Sequence, residues 1–289
     1  MNRFLLLCLS ISVLSCVEKS AQKNRIIVTI EPQRYFAEAI ADTLFSIEAF
    51  VPSGVSPETY DPAPAQMISL ANARVFFFVG GLGFETAWID KLKENNPNVM
   101  FYRNDRNINI VKSAEEDACC HETEEHHHHH HDGDPHVWAS PRNAITITEN
   151  IYEALAETDP NNKEFYFENL QRISKKIRET DMQIKDILQN STQKSFIIFH
   201  PSLTYFARDY GLTQHAIESN GKEPSPEQLQ RLVTIARHEG IKTIFIQQEF
   251  DVRNAEIIAE ETGCKLVQIN PLSYKWHEEM LNIAHALEK

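Results

Sequence analysis

The sequence has no excess of positive charge and no set of cysteines that could form a disulfide framework. Its formal net charge is −13 at pH 7, which argues against binding to nucleic acid or to an anionic membrane surface. Of its five cysteines, Cys119 and Cys120 are adjacent and strained for mutual bonding, and Cys264 has no obvious partner. What remains is an excess of carboxylates, which suits the attraction of cations.

The sequence also lacks an apolar run long enough to cross a bilayer. Its N-terminal stretch, MNRFLLLCLSISVLSC, contains one arginine, about a dozen apolar residues and a small residue before Cys16. A membrane span needs about 20 apolar residues, so this pattern predicts a secretory signal instead. VLSC resembles the lipobox of bacterial lipoproteins, which implies a signal peptide over residues 1–15, acylation of Cys16 and a polar tether over residues 16–24. The alternative is an ordinary signal peptide that is cleaved nearby.

A histidine-rich, acidic segment interrupts the middle of the chain, in CCHETEEHHHHHHDGDPHVW. Six successive histidines have neither a helical nor a strand period, so the segment is predicted to be a solvated loop over residues 113–135. Carboxylates and two thiols surround them, and every such side chain is a potential metal donor. The alternative is a disordered acidic loop with accidental histidines. The predicted auxiliary metal-binding residues are His121, His126, His127, His128, His129, His130 and His131.

Short apolar strands alternate with amphipathic helices along the rest of the chain. This alternation predicts parallel sheets flanked by helices. We expect an N-terminal α/β lobe over residues 25–158, a long charged linker helix over 159–190, and a C-terminal α/β lobe over 191–289. With 42% hydrophobic residues, the chain is expected to build two modest cores rather than one large core.

Four potential metal donors lie at junctions between these predicted elements. Ligands of open α/β sheets bind beyond the carboxyl ends of the strands, so such junctions are the places to look. Glu58 follows a predicted strand, His136 precedes a helix, His200 directly follows SFIIF, and Asn270 follows KLVQI. Two imidazoles, one carboxylate and a weak amide can close around one ion. Each also has a structural alternative: for Asn270, the favoured one is a turn before the next proline.

Several motifs resemble the zinc-binding solute-binding proteins of ABC metal-uptake transporters, known as the cluster A-I family. VPSGVSPETYDPAPAQMISLANA and GLGFETAW resemble the first-lobe motif, DPHVWASP the second-ligand motif, and FHPSLTYFARDYGL the third-ligand motif. EPSPEQL, NPL and the histidine-rich loop complete the resemblance, which spans essentially the whole mature chain. It implies a monomeric periplasmic or cell-envelope lipoprotein, anchored through Cys16, that is not an enzyme. Such a protein binds zinc in a cleft between two lobes and delivers it to a permease with its ATPase.

Two residues depart from the family pattern. Glu58 stands where the family commonly has a histidine, and Asn270 stands where it commonly has an aspartate. A carboxylate at the first position makes the site harder, so manganese or iron becomes possible beside zinc. An amide at the fourth position coordinates weakly or leaves room for water. Because both histidines must be neutral to bind metal, affinity is expected to fall below about pH 6.5.

Two other functions remain as alternatives at this point. A secreted zinc hydrolase also uses two histidines, a glutamate and an open coordination position. HETEEH is one residue too long for the H-E-x-x-H motif, however, and no general base is placed near the other donors. A metal-storage protein or metallochaperone without a transporter is the third possibility. Two folded lobes exceed what storage alone needs.

Overall fold

The computed structural model describes residues 24–112, 133–218 and 222–288. Its first lobe contains the strands β1 (Arg25–Val28), β2 (Ser46–Ala49), β3 (Val75–Phe78) and β4 (Met100–Arg103). They form one parallel sheet in the order β2-β1-β3-β4. Its helices are α1 (Glu31–Ala41), α2 (Pro64–Ala71), α3 (Gly83–Asn95) and α4 (Pro141–Thr158), with a short 3-10 helix over Asp42–Leu44.

The second lobe repeats this architecture. Its strands are β5 (Ser195–Ile198), β6 (Thr213–Ala216), β7 (Thr243–Gln247) and β8 (Lys265–Ile269), in the order β6-β5-β7-β8 and again all parallel. Its helices are α6 (Thr204–Tyr210), α7 (Pro226–Glu239), α8 (Arg253–Thr262) and α9 (Trp276–Ala286). The predicted fold class, two α/β lobes with parallel sheets, is therefore confirmed.

A long helix, α5 (Lys163–Leu188), stands between the two sheets in the chain and follows a 3-10 helix over Pro160–Asn162. It packs against α1 and α4 on one side and against α9 on the other. Its buried side chains recur at helical spacing, which explains why so charged a segment forms a stable helix. They include Tyr166, Ile173, Ile177, Ile184 and Leu188.

Local sequence also explains where several helices begin and end. Prolines stand in the first turn of α2, α4 and α7, where their missing N–H leaves no hydrogen bond unmade. Ser140 caps α4 by accepting a hydrogen bond from the Asn143 N–H. Ser225 and Gln228 form a reciprocal capping box at α7. Gly240 ends α7 with φ of +66°, a conformation that favours glycine.

The expectation of two separate cores is wrong. The largest hydrophobic cluster contains buried residues of both lobes, among them Val28, Phe77, Phe196 and Trp276, together with Ile177 of α5. Side chains of a strand alternate between the two faces of a sheet, and one face of each sheet packs on the helical layer around α5. Each opposite face has its own smaller cluster. The hydrophobic core is thus continuous between the two lobes.

Some sequence predictions lie outside the described residues. They include the signal peptide, Cys16 and the histidines of the loop, namely His121 and residues 126–131. The predicted lobe boundaries remain a prediction. Within residues 24–112, 133–218 and 222–288, none of the helices combines the length and the apolar character that crossing a membrane requires.

Candidate metal centre

Three of the four predicted donors converge in a cleft between the lobes. Glu58 lies in the long loop after β2, His136 lies in the turn before α4, and His200 lies two residues after the end of β5. The Nε2 atoms of His136 and His200 are 3.1 Å apart, and Glu58 Oε1 lies 3.8 Å from His136 Nε2. All three donor atoms lie within 4.8 Å of one another. This spacing suits a single small cation.

Glu58 offers one oxygen to the cleft and holds the other away from it. Its Oε2 accepts a hydrogen bond of 2.9 Å from the Gly83 N–H at the start of α3. Its Oε1 is buried and has no hydrogen-bond partner among the described residues. A buried carboxylate oxygen without a donor is costly unless a cation occupies the space in front of it.

His136 is oriented by a carboxylate two residues before it. Its side chain is 8% exposed, and its Nδ1 lies 2.8 Å from Asp134 Oδ1. The same oxygen accepts the His136 backbone N–H. Burial alone would lower the pKa of His136, but the negative charges of Asp134, Glu58 and Glu218 outweigh burial and raise this pKa. Burial likewise favours a raised pKa of Asp134, but His136 and its hydrogen bonds hold that pKa below its usual value.

His200 is fixed by the ends of neighbouring strands. Its Nδ1 lies 3.3 Å from Glu218 Oε2, just beyond β6. Gln247, at the end of β7, accepts the His200 backbone N–H and donates to its carbonyl. The Phe250 ring stacks on the imidazole, with 4.9 Å between the ring centroids and 15° between the planes. These contacts leave the ring little freedom to turn out of the cleft.

The two carboxylates decide which imidazole nitrogens face the centre. A carboxylate accepts hydrogen bonds, so the Nδ1 atom of each ring is the nitrogen that carries a proton and donates it to Asp134 or to Glu218. The Nε2 atoms of His136 and His200 then point lone pairs at each other and at Glu58 Oε1. Without a metal, only a proton shared between these atoms reduces the repulsion between their lone pairs. A divalent cation removes this repulsion by forming a coordinate bond with each of the three atoms. Metal sites commonly use imidazole ligands whose other nitrogen is hydrogen-bonded to a carboxylate.

The side chain of Asn270 forms a hydrogen bond within its own turn. Its Oδ1 accepts the Leu272 N–H at 3.1 Å, and its own N–H donates to Glu279 Oε1 at 2.8 Å. Pro271 and Leu272 line the cleft cavity, and Asn270 is not among the lining residues. These contacts are those of a turn at the end of β8. The role of Asn270 as a fourth ligand remains a prediction.

Sequence reasoning missed the residues that hold the donors in place. Asp134 was counted with the acidic loop, although its spacing of two residues from His136 permits a hydrogen bond to that backbone N–H. Glu218 and Gln247 lie at the ends of β6 and β7, and only the strand order reveals that both flank His200. Gly83 lies in GLGFETAW, which resembles the same first-lobe motif as the Glu58 segment, but that resemblance does not reveal the hydrogen bond between the two residues.

The cavity in front of the donors is small, about 20 Å³. That volume exceeds the roughly 10–15 Å³ that one water needs, and is far below the about 300–1,000 Å³ typical of organic ligands. Trp138, Ser202, Glu249 and Phe250 complete its wall. The centre therefore has room for a single ion but not for an organic ligand.

Comparison with known proteins shows the family of the chain. Residues 26–284 match the family model described as ZnuA, the periplasmic zinc-uptake complex component A. The chain belongs to this family. The members of the ZnuA family are the substrate-binding components of metal transporters.

The chain is 28% identical over 276 residues to the high-affinity zinc uptake system protein ZnuA of Bacillus subtilis, which covers 94% of this chain and 86% of that protein. It is 27% identical to the manganese transporter lipoprotein PsaA of Streptococcus mitis, over 84% of this chain and 78% of that protein. A crystal structure of ZnuA superposes with a TM-score of 0.82 at 33% identity, over 90% of this chain and 96% of that one. Other curated relatives are longer, and the chain spans only 57% or 52% of their length.

Proposed function

We propose that the protein captures zinc outside the cytoplasm and delivers it to the permease of an ATP-driven importer. The observation that carries this proposal is the convergence of Glu58 Oε1, His136 Nε2 and His200 Nε2 within 4.8 Å. The relatives named for zinc uptake support the same cargo. Zinc is here the transported substrate, held between the lobes until it is released.

The donor set suits zinc in both chemistry and spacing. Zinc binds imidazole nitrogen and carboxylate oxygen at about 2.0–2.2 Å, which places the ligands of a tetrahedral ion about 3.3–3.6 Å apart. The observed separations of 3.1 Å and 3.8 Å bracket that range. Manganese and iron remain possible cargoes because one donor is a carboxylate, and a relative named for manganese exists. The fourth position is filled by water or by a side chain that moves.

Capture is favoured over catalysis by the size of the centre. A zinc hydrolase needs space for an organic substrate beside the metal, whereas this cavity measures about 20 Å³. Storage is disfavoured because the two lobes together surround a site for only one ion among the described residues, whereas storage requires sites for many ions. The proposal therefore treats the protein as a binding component and not as an enzyme.

The remaining features of the proposal follow from the sequence. The protein is secreted, acylated at Cys16 and tethered to a membrane as a monomer, and its partner is a permease with its ATPase. The histidine-rich loop supplies weaker auxiliary sites that raise the local concentration of zinc near the cleft. The cleft then provides the tight site, and the loop provides the weaker sites.

Zinc titration of a variant that lacks residues 119–132 tests the proposal. The deletion removes the histidine-rich segment and leaves Glu58, His136 and His200 in place. We expect one tight zinc site per chain in the variant and additional weaker sites in the full chain. Replacement of the same segment by a serine-glycine linker of equal length controls for loop length. A variant without any tight site would show that the loop, not the cleft, is the main site.

A further inference from the structure

The contact between Glu58 and the start of α3 has a consequence for metal choice. The Gly83 N–H, at the first position of α3, donates to Glu58 Oε2 at 2.9 Å. The next amide, that of Phe84, donates to the carbonyl of Pro57 at 2.9 Å. Amides of a first helical turn have no partner within the helix, so both are free to bind the preceding loop. Two successive donors therefore hold residues 57 and 58 in one position.

The absence of a side chain at position 83 makes this contact possible. A Cβ built on Gly83 would lie 2.2 Å from the Glu58 carbonyl oxygen and 2.9 Å from its carbonyl carbon. Both atoms belong to the backbone and cannot turn away as a side chain can. The φ angle of Gly83 is not in the left-handed region, so alanine is compatible with its backbone conformation. The close approach of the Glu58 loop is thus the constraint that requires glycine there.

Aromatic packing makes the contact stiff. Phe84 is buried and packs against Phe50 and Tyr60, with ring centroids 5.3 Å and 5.8 Å apart. Tyr60 belongs to the same loop as Glu58. The loop is therefore anchored to α3 through backbone hydrogen bonds and through side-chain packing on both sides of Glu58.

We infer that Gly83 is a positioning residue that restricts Glu58 to binding metal through Oε1 alone, and that this restriction favours zinc over manganese. The inference rests on the zinc-capture function proposed above. A carboxylate whose second oxygen accepts a backbone hydrogen bond is a one-oxygen ligand. Zinc is satisfied by four ligands, whereas manganese prefers an octahedral shell rich in oxygen. Withholding Oε2 keeps the coordination number low.

The test compares Gly83→Ala with the wild type in the full chain. Zinc and manganese affinities are measured by competition with chelators. The metal binding that persists in His200→Ala is subtracted, because it belongs to sites outside the cleft. We expect zinc affinity to fall about tenfold or more, as when a contact that orients a ligand is lost. The preference for zinc over manganese is expected to shrink as well. The visible absorption of bound cobalt should weaken, because four-coordinate cobalt absorbs more strongly than six-coordinate cobalt.

Gly240→Ala is the matched control. It introduces the same methyl group at a residue with φ of +66° and with no neighbouring atom within 4 Å, far from the donors in the chain. It is expected to lower the melting temperature and to leave both metal affinities within about twofold. If Gly83→Ala changes the metal preference and the cobalt spectrum no more than Gly240→Ala does, the inference is overturned.

Hydrogen exchange of the Gly83 amide in the wild type gives a second, independent readout that does not depend on how the variant folds. The amide is expected to stay protected in both the metal-free and the zinc-bound protein, because Oε2 remains its acceptor. Loss of protection on zinc binding would mean that Oε2 turns to the metal, which contradicts the inference. A wild type without a zinc site that depends on His200 would instead refute the proposed function.

Discussion

The two lobes hold their metal donors in different ways. In the second lobe, His200 lies two residues after a central strand and is held by Glu218, just beyond one adjacent strand, and by Gln247, at the end of the other. In the first lobe, Glu58 and His136 lie on loops, and hydrogen bonds donated by backbone N–H groups position them. A donor at a strand end inherits the rigidity of the sheet, whereas a donor on a loop depends on a few specific contacts. The lobes should therefore respond differently to substitution.

The largest effect is expected from His200→Ala. This variant removes the donor that the second lobe supplies, and the two donors of the first lobe cannot complete a tetrahedral shell without several waters. Zinc affinity should fall more than about 100-fold, beyond the 10–100-fold that loss of an orienting contact costs. Competition titration of the full chain measures the change. His215→Ala is the control, since His215 pairs with Glu239 outside the cleft; equal losses in both variants would contradict the assignment.

The carboxylates that orient the two histidines also differ between the lobes. Asp134 lies 2.8 Å from His136 Nδ1, whereas Glu218 lies 3.3 Å from His200 Nδ1. Gln247 and Phe250 also support His200, so loss of its carboxylate is partly compensated. We expect Asp134→Asn to weaken zinc binding more than Glu218→Gln, within a range of about 10–100-fold.

Calorimetric zinc titration of both variants checks this order. Glu239→Gln, which removes the carboxylate beside His215, should have no effect on the cleft site. A larger loss in Glu218→Gln than in Asp134→Asn would mean that the loop of the first lobe is held by more than the Asp134 contacts.

The pH dependence should also be set by the first lobe. The pKa of His136 is raised, so protons compete with zinc for its Nε2 at a higher pH than for an ordinary histidine. Zinc affinity should fall as the pH drops through this raised pKa, and Asp134→Asn should move the fall to lower pH. In the metal-free protein, the raised pKa adds stability below about pH 6.5, and this stability is lost as the pH rises through the raised value. Titrations at several pH values measure the shift; the same midpoint in wild type and Asp134→Asn would refute it.

The smallest change in zinc affinity is expected from Glu58→His. The substitution replaces an oxygen donor by a nitrogen donor in the loop of the first lobe, and nitrogen favours zinc over manganese. Zinc binding should be retained within about tenfold, and the preference for zinc should rise. Parallel titrations with zinc and manganese measure both, with Glu58→Gln as the control that removes the charge. Abolished zinc binding in Glu58→His would mean that the loop tolerates only a carboxylate.

The contrast between the lobes also explains what could be predicted from the sequence. Periodicity located nearly every strand and helix, because short apolar strands and amphipathic helices have distinct repeats. The rule that ligands lie beyond strand ends selected Glu58 and His200, and the loop before a predicted helix added His136; the structure brings the three together. The same rule selected Asn270, but its side chain is used by a local turn, and strand position alone does not reveal such competition.

Other features depend on contacts that no local pattern encodes. The Gly83 contact with Glu58 joins residues that are distant in sequence, and the pairing of Glu218 with His200 requires the order of the strands. The continuous core was missed because composition measures how much apolar surface a chain has, not which faces share a helical layer. Periodicity thus predicts elements and approximate positions, while orientation of the donors comes from tertiary packing.

The most direct test is the location of zinc in a crystal of the variant that lacks residues 119–132, measured by anomalous diffraction at the zinc edge. We expect one strong peak about 2.0–2.2 Å from Glu58 Oε1, His136 Nε2 and His200 Nε2. Glu58 Oε2 should still accept the Gly83 N–H. A peak away from these three atoms, or no peak in a protein that retains tight binding, would contradict the assignment of the cleft as the zinc site.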